Sequence, residues 1–594
     1  MRIPDWVIFF VKQFSRSKAA FVLVVLLSVI AAICGAAAPL LIGRLMDEIT
    51  LHGGKGMART SLLLLSALLL SELCFSVRSY VSAKTMIKLS YSLTEEILAA
   101  VLRTSSVFFT KTPRGQLLQR CTQDTRAIQQ FGLSTLPGFV QELLLACAAM
   151  AVIFRWNWVL SVVLLTAYVV LFIPVQLYGR KRSIARKELV AHDARLRQSL
   201  LEKLEALKQI KLYGTERRAL ADVADDQAKW ADLTYREGIA QSLYKTFPRI
   251  PDSLAPAFVF LFAGWQMAAG QASLGQLVTI IAYIPALNAP VRSFFELYVS
   301  FADIKVRIQG IREYLQLPTE PGIEGGLRKP SDYLGQPIIF EGVHAAGERG
   351  ELLRNLSFTV APGEHVAIVG PSGAGKSTLL KLLLRLHEPS GGNIRIGGIP
   401  IRELDATHLR NRVGYVMQEG IWFRNTLYRN LTYLGGADKP VLDMWMKAFG
   451  AEDIISQLPL GYDSEIGPSG NRLSGGQRQL LGLVRTMVKK PDILLLDEAT
   501  SSLDQKSETG VYSALNTYAN GITRINVTHR LRGAVMADRI LVLNEGELVE
   551  QGTHGELMSL QGLYAKLWQE ESMQRDYEAE GYDSHEFKLA PVAR

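Results

Sequence analysis

Six long apolar segments in the N-terminal half constrain the fold of this 594-residue chain more than any other feature. A helix that crosses a bilayer needs roughly 20 consecutive apolar residues. The segments lie near residues 19–43, 59–82, 133–156, 158–180, 250–270 and 275–297. Prolines interrupt the last two segments, and membrane helices tolerate Pro when their neighbours satisfy the freed backbone groups. The sequence therefore predicts an α-helical membrane domain with six transmembrane helices.

The connections between these segments alternate in length and charge. On one side they are short (DEITLHGGKGMA, RWN and GQAS), whereas 83–132 and 181–248 are long, basic and rich in helix formers. Because Lys and Arg concentrate in cytoplasmic loops, we expect both termini in the cytoplasm and helices that continue past the membrane as stalks. Residues 1–18 are amphipathic and lack a small-residue cleavage site, which predicts an interfacial helix and not a signal peptide.

The charge balance and the cysteines exclude several other classes. The formal net charge is +9, a value usually associated with nucleic-acid binding. Basic cytoplasmic loops of a membrane protein explain that charge at least as well, and we expect no nucleic-acid partner. The four cysteines show no CxxC spacing, and three of them fall in apolar runs. We therefore expect neither a disulfide framework nor a zinc site.

A change in composition near 315–337 divides the chain. This stretch collects Pro and Gly, and we interpret it as a linker after a membrane domain over 19–314. Beyond it, strand-like runs such as HVAIVG, DILLLD and RINVT alternate with helical segments. The alternation predicts an α/β domain with a mainly parallel sheet over 338–572. The polar, aperiodic residues 573–594 are expected to form a mobile tail.

The strand-like run HVAIVG leads into GPSGAGKST and then into a helical segment. This stretch fits the P-loop pattern G-x-x-x-x-G-K-[ST], and its flanks count against an accidental glycine-rich turn. Its backbone N–H groups are expected to surround phosphates, Lys376 to reach the β- and γ-phosphates, and Ser377 to ligate Mg²⁺. The predicted ATP-binding residues of the loop are Gly370, Pro371, Ser372, Gly373, Ala374, Gly375, Lys376, Ser377 and Thr378.

Polar residues at three further strand ends are candidates for catalysis. Asp497 and Glu498 follow the apolar run ILLL, and we assign Asp497 to Mg²⁺ and Glu498 to polarising the attacking water. Gln418 follows VGYVM and is assigned to the ATP site, to Mg²⁺ or to the water. His529 follows RINVT and is assigned to the γ-phosphate or to orienting Glu498. Without a P-loop beside them, each of these residues is explained as well by an ordinary solvated turn.

The stretch RLSGGQRQLLG at 472–482 is a second turn that feeds a helix N-terminus, where backbone N–H groups attract anions, yet it lacks a Lys. Together with the P-loop, Gln418, LLLDEAT, SSLD and His529, LSGGQ resembles the ATP-binding cassette ATPases in motif and chain order. FFTKTPRGQLLQRCTQDTRAI and LGQLVTIIAYIPALNAPVRSF resemble the first cytoplasmic loop and the sixth helix of that family's exporters. One membrane half joined to one cassette resembles a half-transporter.

The resemblance implies ATP and Mg²⁺ as cofactors, a homodimer with a heterodimer as alternative, and contact with membrane lipids. Ser474 and Gly476 are implied to contact the γ-phosphate of an ATP held by the partner's P-loop, and Asp504 to connect the two sites. The implied partner-facing residues are Leu473, Ser474, Gly475, Gly476, Gln477 and Asp504. Loops near 110–122 and 211–218 would enter a groove around Gln418. The implied location is a bacterial inner membrane, with the cassette in the cytoplasm.

Two stretches depart from the family pattern. The family stacks adenine on an aromatic about 25 residues before the P-loop, and Gly347 or a near neighbour stands at that place. His344 and Phe340 are the nearest alternatives, although neither is well placed by spacing, so we expect weakened adenine recognition. In SEIGPSG, Pro468 and Ser469 replace an acidic–basic pair that normally contacts the coupling helices.

Ionisable residues inside the apolar segments bear on the substrate. Buried charges in a membrane are costly, so Glu72, Glu142 and Arg292 are candidates for a substrate cavity, with interhelical pairing as the alternative. A cavity of mixed charge suits an amphiphile or a peptide, and a lipid headgroup also needs a polar path. The sequence thus predicts a transport ATPase that exports such a substrate by alternating access. The alternatives are an ATP-gated channel or scaffold, and an importer.

Overall fold

The computed structural model describes residues 4–579 except 52, 106–107, 109–113, 269–271, 324–326, 332, 334, 348–349, 419, 434 and 468–471. Contacts divide the chain into two compact units. The helical unit consists of Met1–Leu102 and Pro113–Leu317, and the sheet unit of Arg103–Thr112 and Pro318–Arg594. The segment Arg103–Thr112 belongs to the sheet unit, and Thr104 in it forms a β-bridge with Thr319.

The helical unit is built from long helices. They are α1 (Asp5–Ser15), α2 (Lys18–Leu51), α3 (Met57–Leu102), α4 (Gly115–Trp156), α5 (Trp158–Glu205), α6 (Leu207–Leu212), α7 (Glu216–Thr246), α8 (Ile250–Ala268) and α9 (Leu274–Leu315). The six predicted segments fall on α2, α3, α4, α5, α8 and α9. Within the described residues, four helices (α2, α3, α4 and α9) are long and apolar enough to cross a membrane, and α8 carries a shorter apolar stretch.

Local sequence explains where several of these helices begin and how far they run. Asn157 caps α5 by accepting a hydrogen bond from the backbone N–H of Leu160 at 3.0 Å. Ser273 and Gln276 form a capping box at the start of α9. The stretches of α3 and α5 beyond the apolar segments are rich in helix formers, and both helices continue well past them, as expected for stalks.

The amphipathic helix α1 packs one face against the rest of the helical unit. Gln13 and Phe14 are buried, whereas Ile8 and Val11 are exposed. The Phe14 ring lies directly on Gly132, where an added Cβ would come within 2.1 Å of the ring. The missing side chain at Gly132 therefore makes room for α1.

A buried charge cluster joins α4 to α9. Asp124 lies in a π-helical segment of α4, Arg120–Asp124, and its side chain is only 1% exposed. It accepts hydrogen bonds from Arg120 at 2.6 Å and from Arg307 of α9, which also pairs with the exposed Asp303 at 2.7 Å. The buried carboxylate is thus held by two guanidinium groups, as a buried charge requires.

The sheet unit contains two main sheets. Its strands are β1 (Ile338–Gly347), β2 (Gly350–Val360), β3 (His365–Val369), β4 (Gly391–Ile396), β5 (Ile399–Pro400), β6 (Val413–Val416), β7 (Asn425–Thr426), β8 (Glu465–Ile466), β9 (Ile493–Asp497), β10 (Thr523–Val527), β11 (Arg539–Asn544) and β12 (Glu547–Gly552). Four of them form an antiparallel sheet in the order β2-β1-β4-β5, and six form a sheet in the order β12-β11-β3-β10-β9-β6. Within the larger sheet only the β11–β12 pairing is antiparallel.

Helices cover the larger sheet. They are α10 (Lys376–Leu383), α11 (Ala406–Arg412), α12 (Leu427–Leu431), α13 (Lys439–Ala448), α14 (Glu452–Ser456), α15 (Gly475–Val488), α16 (Gln505–Tyr518), α17 (Leu531–Val535), α18 (His554–Leu560) and α19 (Leu563–Ala579). Every residue of β3 and β9 is buried, as expected for parallel strands covered on both faces. Because β3, β6, β9 and β10 are parallel, their carboxyl ends share one edge, where open α/β sheets bind ligands. α19 extends to Ala579, into the predicted tail, and residues 580–594 lie outside the described part.

Candidate nucleotide site

The loop between β3 and α10 needs glycine at two of its positions. Gly370 has φ +145°, and an added Cβ would lie 2.0 Å from the carbonyl oxygen of Leu543. Gly375 has φ +94°, and its Cβ would lie 2.8 Å from the carbonyl oxygen of Leu352. Larger residues are therefore excluded by backbone conformation and by contact with backbone atoms. The loop ends at the N-terminus of α10, whose free N–H groups favour phosphate.

Lys376 lies at this N-terminus with its ammonium group folded back over the loop. Its Nζ donates to the carbonyl oxygens of Gly370 at 2.7 Å and Pro371 at 2.8 Å. Burial lowers the pKa of Lys376, while the carboxylates of Glu498 and Asp497 oppose that shift. Because its two hydrogen-bond partners are neutral carbonyls, this ammonium group can still bind an anionic ligand such as phosphate.

Asp497, the last residue of β9, has both carboxylate oxygens engaged. The hydroxyl of Ser377 donates to Oδ1 at 3.1 Å, and the hydroxyl of Tyr415 on β6 donates to Oδ2 at 2.9 Å. Burial, together with the Asp497 charge, raises the pKa of Tyr415, which keeps its hydroxyl protonated. A hydroxyl and a carboxylate side by side form the all-oxygen donor set that Mg²⁺ prefers, so these residues fit the implied metal.

Glu498 is the centre of the site because two side chains from other strand ends contact it. The amide of Gln418 donates to Oε2 at 2.7 Å, and Nε2 of His529 lies 3.0 Å from Oε1. Glu498 has φ +51°, in the left-handed region that non-glycine residues seldom adopt. Its backbone N–H donates to the carbonyl of Val527 at 2.9 Å. The structure thus brings together the three residues that the sequence proposed for catalysis.

The LSGGQ turn begins α15 with a capping box. The Ser474 hydroxyl accepts from the N–H of Gln477 at 3.2 Å, and the Gln477 side chain accepts from the N–H of Ser474 at 2.9 Å. Asp504 stands before α16, and its pKa is lowered, chiefly by a hydrogen bond from Ser507. Ser474 and Asp504 are both exposed.

Two further residues belong to the site and are missed by sequence reasoning. Tyr415 supports Asp497, as described above, and Gln479 of α15 contacts the loop that follows Glu498. The sequence holds one signal for each residue: Tyr415 is a phenol in an otherwise aliphatic strand, and Gln479 is an amide on the apolar face of a buried helix. Such signals identify a polar residue inside the core without identifying its partner.

A groove of about 430 Å³, here named the Gln418 groove, lies beside the site. It is formed by 415–418, 420–421 and one face of α15 that includes Arg478 and Arg485. Arg485 lies over the Trp422 ring at 5.0 Å and donates to the carbonyl of Ile421 at 2.8 Å. These contacts give the groove a basic wall and a fixed shape.

The structure corrects one suggestion for the adenine end. Phe340 is 2% exposed and stacks on Phe358 inside the core at 4.3 Å, so it is not available to a nucleotide base. His344 is partly exposed and pairs with Glu351 at 2.7 Å. Gly347 pairs with Gly350 at the tip of the β1–β2 hairpin. The other predicted departure, at Pro468 and Ser469, lies outside the described residues.

The substrate-cavity candidates are placed differently from one another. The side chain of Glu72 is exposed on α3. Glu142 of α4 accepts a hydrogen bond from Ser293 of α9, which favours an interhelical role. Arg78 likewise donates to Gln141 and to Ser28, the latter at 3.2 Å. Arg292 belongs to α9, and its side chain lies outside what the structure describes.

The P-loop geometry and the three-residue set around Glu498 define a P-loop ATPase joined to a helical membrane domain. A family model for the ABC transporter transmembrane region matches residues 21–291, and one for the ABC transporter matches 353–501. The chain is 31% identical over 558 residues to an ATM1-type heavy metal exporter of Novosphingobium aromaticivorans, covering 90% of this chain and 89% of the relative. It is 30% identical over 473 residues to an ATP-dependent lipid A-core flippase of Syntrophus aciditrophicus, covering 79% and 78%.

A solved structure agrees with these relatives. A bacterial Atm1-family ABC exporter with ATP bound superimposes with a TM-score of 0.81 at 27% identity, covering 94% of this chain and 99% of that one. The chain belongs to the ATP-binding cassette transporter family, in which it is an exporter. It binds ATP, and it is a transport ATPase that carries a multi-pass membrane domain. The predicted fold class and the prediction of ATP-driven export are confirmed.

Proposed function

We propose that two copies of this chain form a homodimer in which each P-loop holds ATP with Mg²⁺, and the partner's LSGGQ turn completes the site. The support is geometric. Lys376, Ser377 and Asp497 form one half of a phosphate site, while Ser474 and Gly476 begin an exposed helix N-terminus. A helix N-terminus without a Lys suits a phosphate that is already held elsewhere.

In this proposal the site residues of one chain have separate roles in hydrolysis. Glu498 accepts a proton from the attacking water, and Gln418 and His529 keep its carboxylate in place through the hydrogen bonds described above. Ser377 and Asp497 hold Mg²⁺, which when bound neutralises charge on the phosphoryl oxygens. Asp504 connects the two sites. ATP binding favours one state of the membrane domain and hydrolysis resets it, which gives alternating access.

The observation that carries the proposal is Glu498 held between Gln418 and His529. Glu498→Gln should reduce ATP hydrolysis to a small residual rate and stop vectorial transport in proteoliposomes, while ATP binding persists. Glu547→Gln, an exposed acid on β12 at the opposite edge of the sheet, is the matched control and should behave like the wild type. An ATP-gated channel would instead stay open in Glu498→Gln, so sustained solute flux in that variant contradicts a pump.

The shared ATP site has its own test. Ser474→Arg should leave ATP binding largely intact and abolish hydrolysis, because the bulky cation displaces the cap from the partner's γ-phosphate. Ser474→Thr, which keeps the hydroxyl, should retain turnover. Normal turnover in Ser474→Arg would refute the homodimer with shared sites.

For the substrate we propose an amphiphile, a peptide or a lipid, with Glu72, Glu142 and Arg292 as candidate contacts for its polar part. The two curated relatives described above are named for heavy metals and for lipid A-core, which leaves the substrate of this chain to experiment. Alanine at these three positions should alter substrate-stimulated ATPase activity and transport. Unchanged behaviour in all three variants would contradict the assignment. The proposed location is a bacterial inner membrane, with both termini and the cassette in the cytoplasm.

A further inference from the structure

Gln479, in the second turn of α15, makes hydrogen bonds with both ends of its side-chain amide. It is 7% exposed. Its Nε2 donates to the carbonyl oxygen of Glu498 at 3.3 Å and to the hydroxyl of Ser501 at 2.9 Å. Its Oε1 accepts from the backbone N–H of Ser502 at 2.7 Å. One side chain therefore fastens α15 to the loop that carries Glu498.

These bonds complete the support of Glu498. The N–H of Glu498 is held by the carbonyl of Val527 on β10, and its C=O by Gln479 of α15. Its left-handed φ of +51° is a strained conformation that persists only where the surroundings impose it. Because the backbone angles set the direction of the side chain, Gln479 helps to aim the carboxylate that Gln418 and His529 contact.

Gln479 is also close to the LSGGQ turn. Ser474 caps α15, and Gln479 lies five residues further along, about 7.5 Å at the helical rise. All residues of α15 from Gln479 to Val488 are buried, so the helix is firmly packed on the sheet. A change in the position of the turn is therefore transmitted to Gln479 by a short, rigid element.

We propose that Gln479 is a positioning residue that couples the LSGGQ turn to Glu498 of the same chain. Seating of the partner's ATP against Ser474 fixes α15, and α15 through Gln479 fixes the Glu498 carboxylate for the ATP in its own P-loop. This coupling rests on the proposed homodimer. The role of Gln479 toward Glu498 rests on the hydrogen bonds alone.

The test uses the full-length protein in nanodiscs with Gln479→Leu, which removes all three bonds, and Gln479→Glu, which keeps an acceptor for Ser502 but lacks the donor to Glu498. Gln551→Leu, on the exposed face of β12, is the matched control. Both Gln479 variants should lose kcat on the order of 100-fold with KM for ATP within about threefold, as expected for a misplaced base. In a Glu498→Gln background, Gln479→Leu should change the residual rate by less than about threefold, because the base is already absent.

Two results would overturn the inference: a kcat for both variants within about threefold of the wild type, or a full additional loss in the Glu498→Gln background, which indicates a general structural defect. If Gln479→Leu does not fold, as judged by thermal unfolding, Gln479→Glu alone decides. Ser474→Arg distinguishes a failure of the proposed homodimer from a failure of the proposed role of Gln479. Normal hydrolysis in Ser474→Arg refutes the shared site and with it the coupling, whereas an inactive Ser474→Arg beside a normal Gln479→Leu refutes the role of Gln479 alone.

Discussion

The cluster around Asp124 offers a direct measure of how much burial changes the strength of an ion pair. Arg307 contacts two aspartates, Asp124 at 1% side-chain exposure and Asp303 at 53%. Asp124→Ala leaves Arg307 and the 18%-exposed Arg120 without their shared acceptor. Removing one member of a buried pair costs about 3–5 kcal/mol. Asp303→Ala removes an exposed pair four residues from Arg307 on the same helix, which is worth about 0.2–1 kcal/mol.

The assay is thermal unfolding of the purified transporter in nanodiscs, followed by intrinsic fluorescence. With about 2–4 °C per kcal/mol for a domain of this size class, Asp124→Ala should lower Tm by about 6 °C or more. Asp303→Ala, the matched control on the same arginine, should lower Tm by less than about 4 °C. Equal shifts in the two variants, or an unchanged Tm in Asp124→Ala, would refute the argument that burial decides the strength of these pairs.

Three further outcomes are expected. Tyr415→Phe removes the donor to Asp497 and should raise the Mg²⁺ concentration for half-maximal ATPase activity about tenfold; a titration that overlays the wild type contradicts this. ATP and GTP should displace a fluorescent nucleotide with affinities within about tenfold of each other, because Gly347 stands where an aromatic would stack on adenine and such stacking is worth about 1–3 kcal/mol. Strong selectivity for ATP would refute weakened adenine recognition. Phe14→Ala should destabilise the protein by about 3–5 kcal/mol by denaturant titration, whereas Ile8→Ala, 54% exposed, should have little effect; equal losses would show that burial of Phe14 is unimportant.

Local chain patterns were sufficient for the parts of the molecule that depend on neighbouring residues. Run length predicts membrane helices because the bilayer has a fixed thickness, and the P-loop can be recognised because its glycines, its Lys and its flanking strand and helix are contiguous. The meeting of Gln418, Glu498 and His529 was also predictable. Each follows a strand, and parallel strands end at one edge of a sheet.

Contacts between distant parts of the chain could not be predicted in this way. Asp124 and Arg307 are 183 residues apart in sequence, and their meeting depends on the rotation of two helices about their axes. Tyr415 reaches Asp497 only because β6 lies beside β9 in a particular register. Phe340 illustrates the opposite error. An aromatic near the expected position invited a role in adenine binding, whereas the pairing of β1 with β2 stacks it on Phe358 in the core.

The capping box at Ser474 limits which side chains suit that position. A hydroxyl has one hydrogen and two lone pairs, and the N–H of Gln477 occupies only one lone pair. The hydrogen is therefore free to point toward the proposed phosphate while the oxygen holds the first turn of α15. Asp would cap the helix equally well but has no proton to offer and repels phosphate, and Ala loses both functions. The valence of a single oxygen atom thus favours Ser and Thr over Asp and Ala at this position.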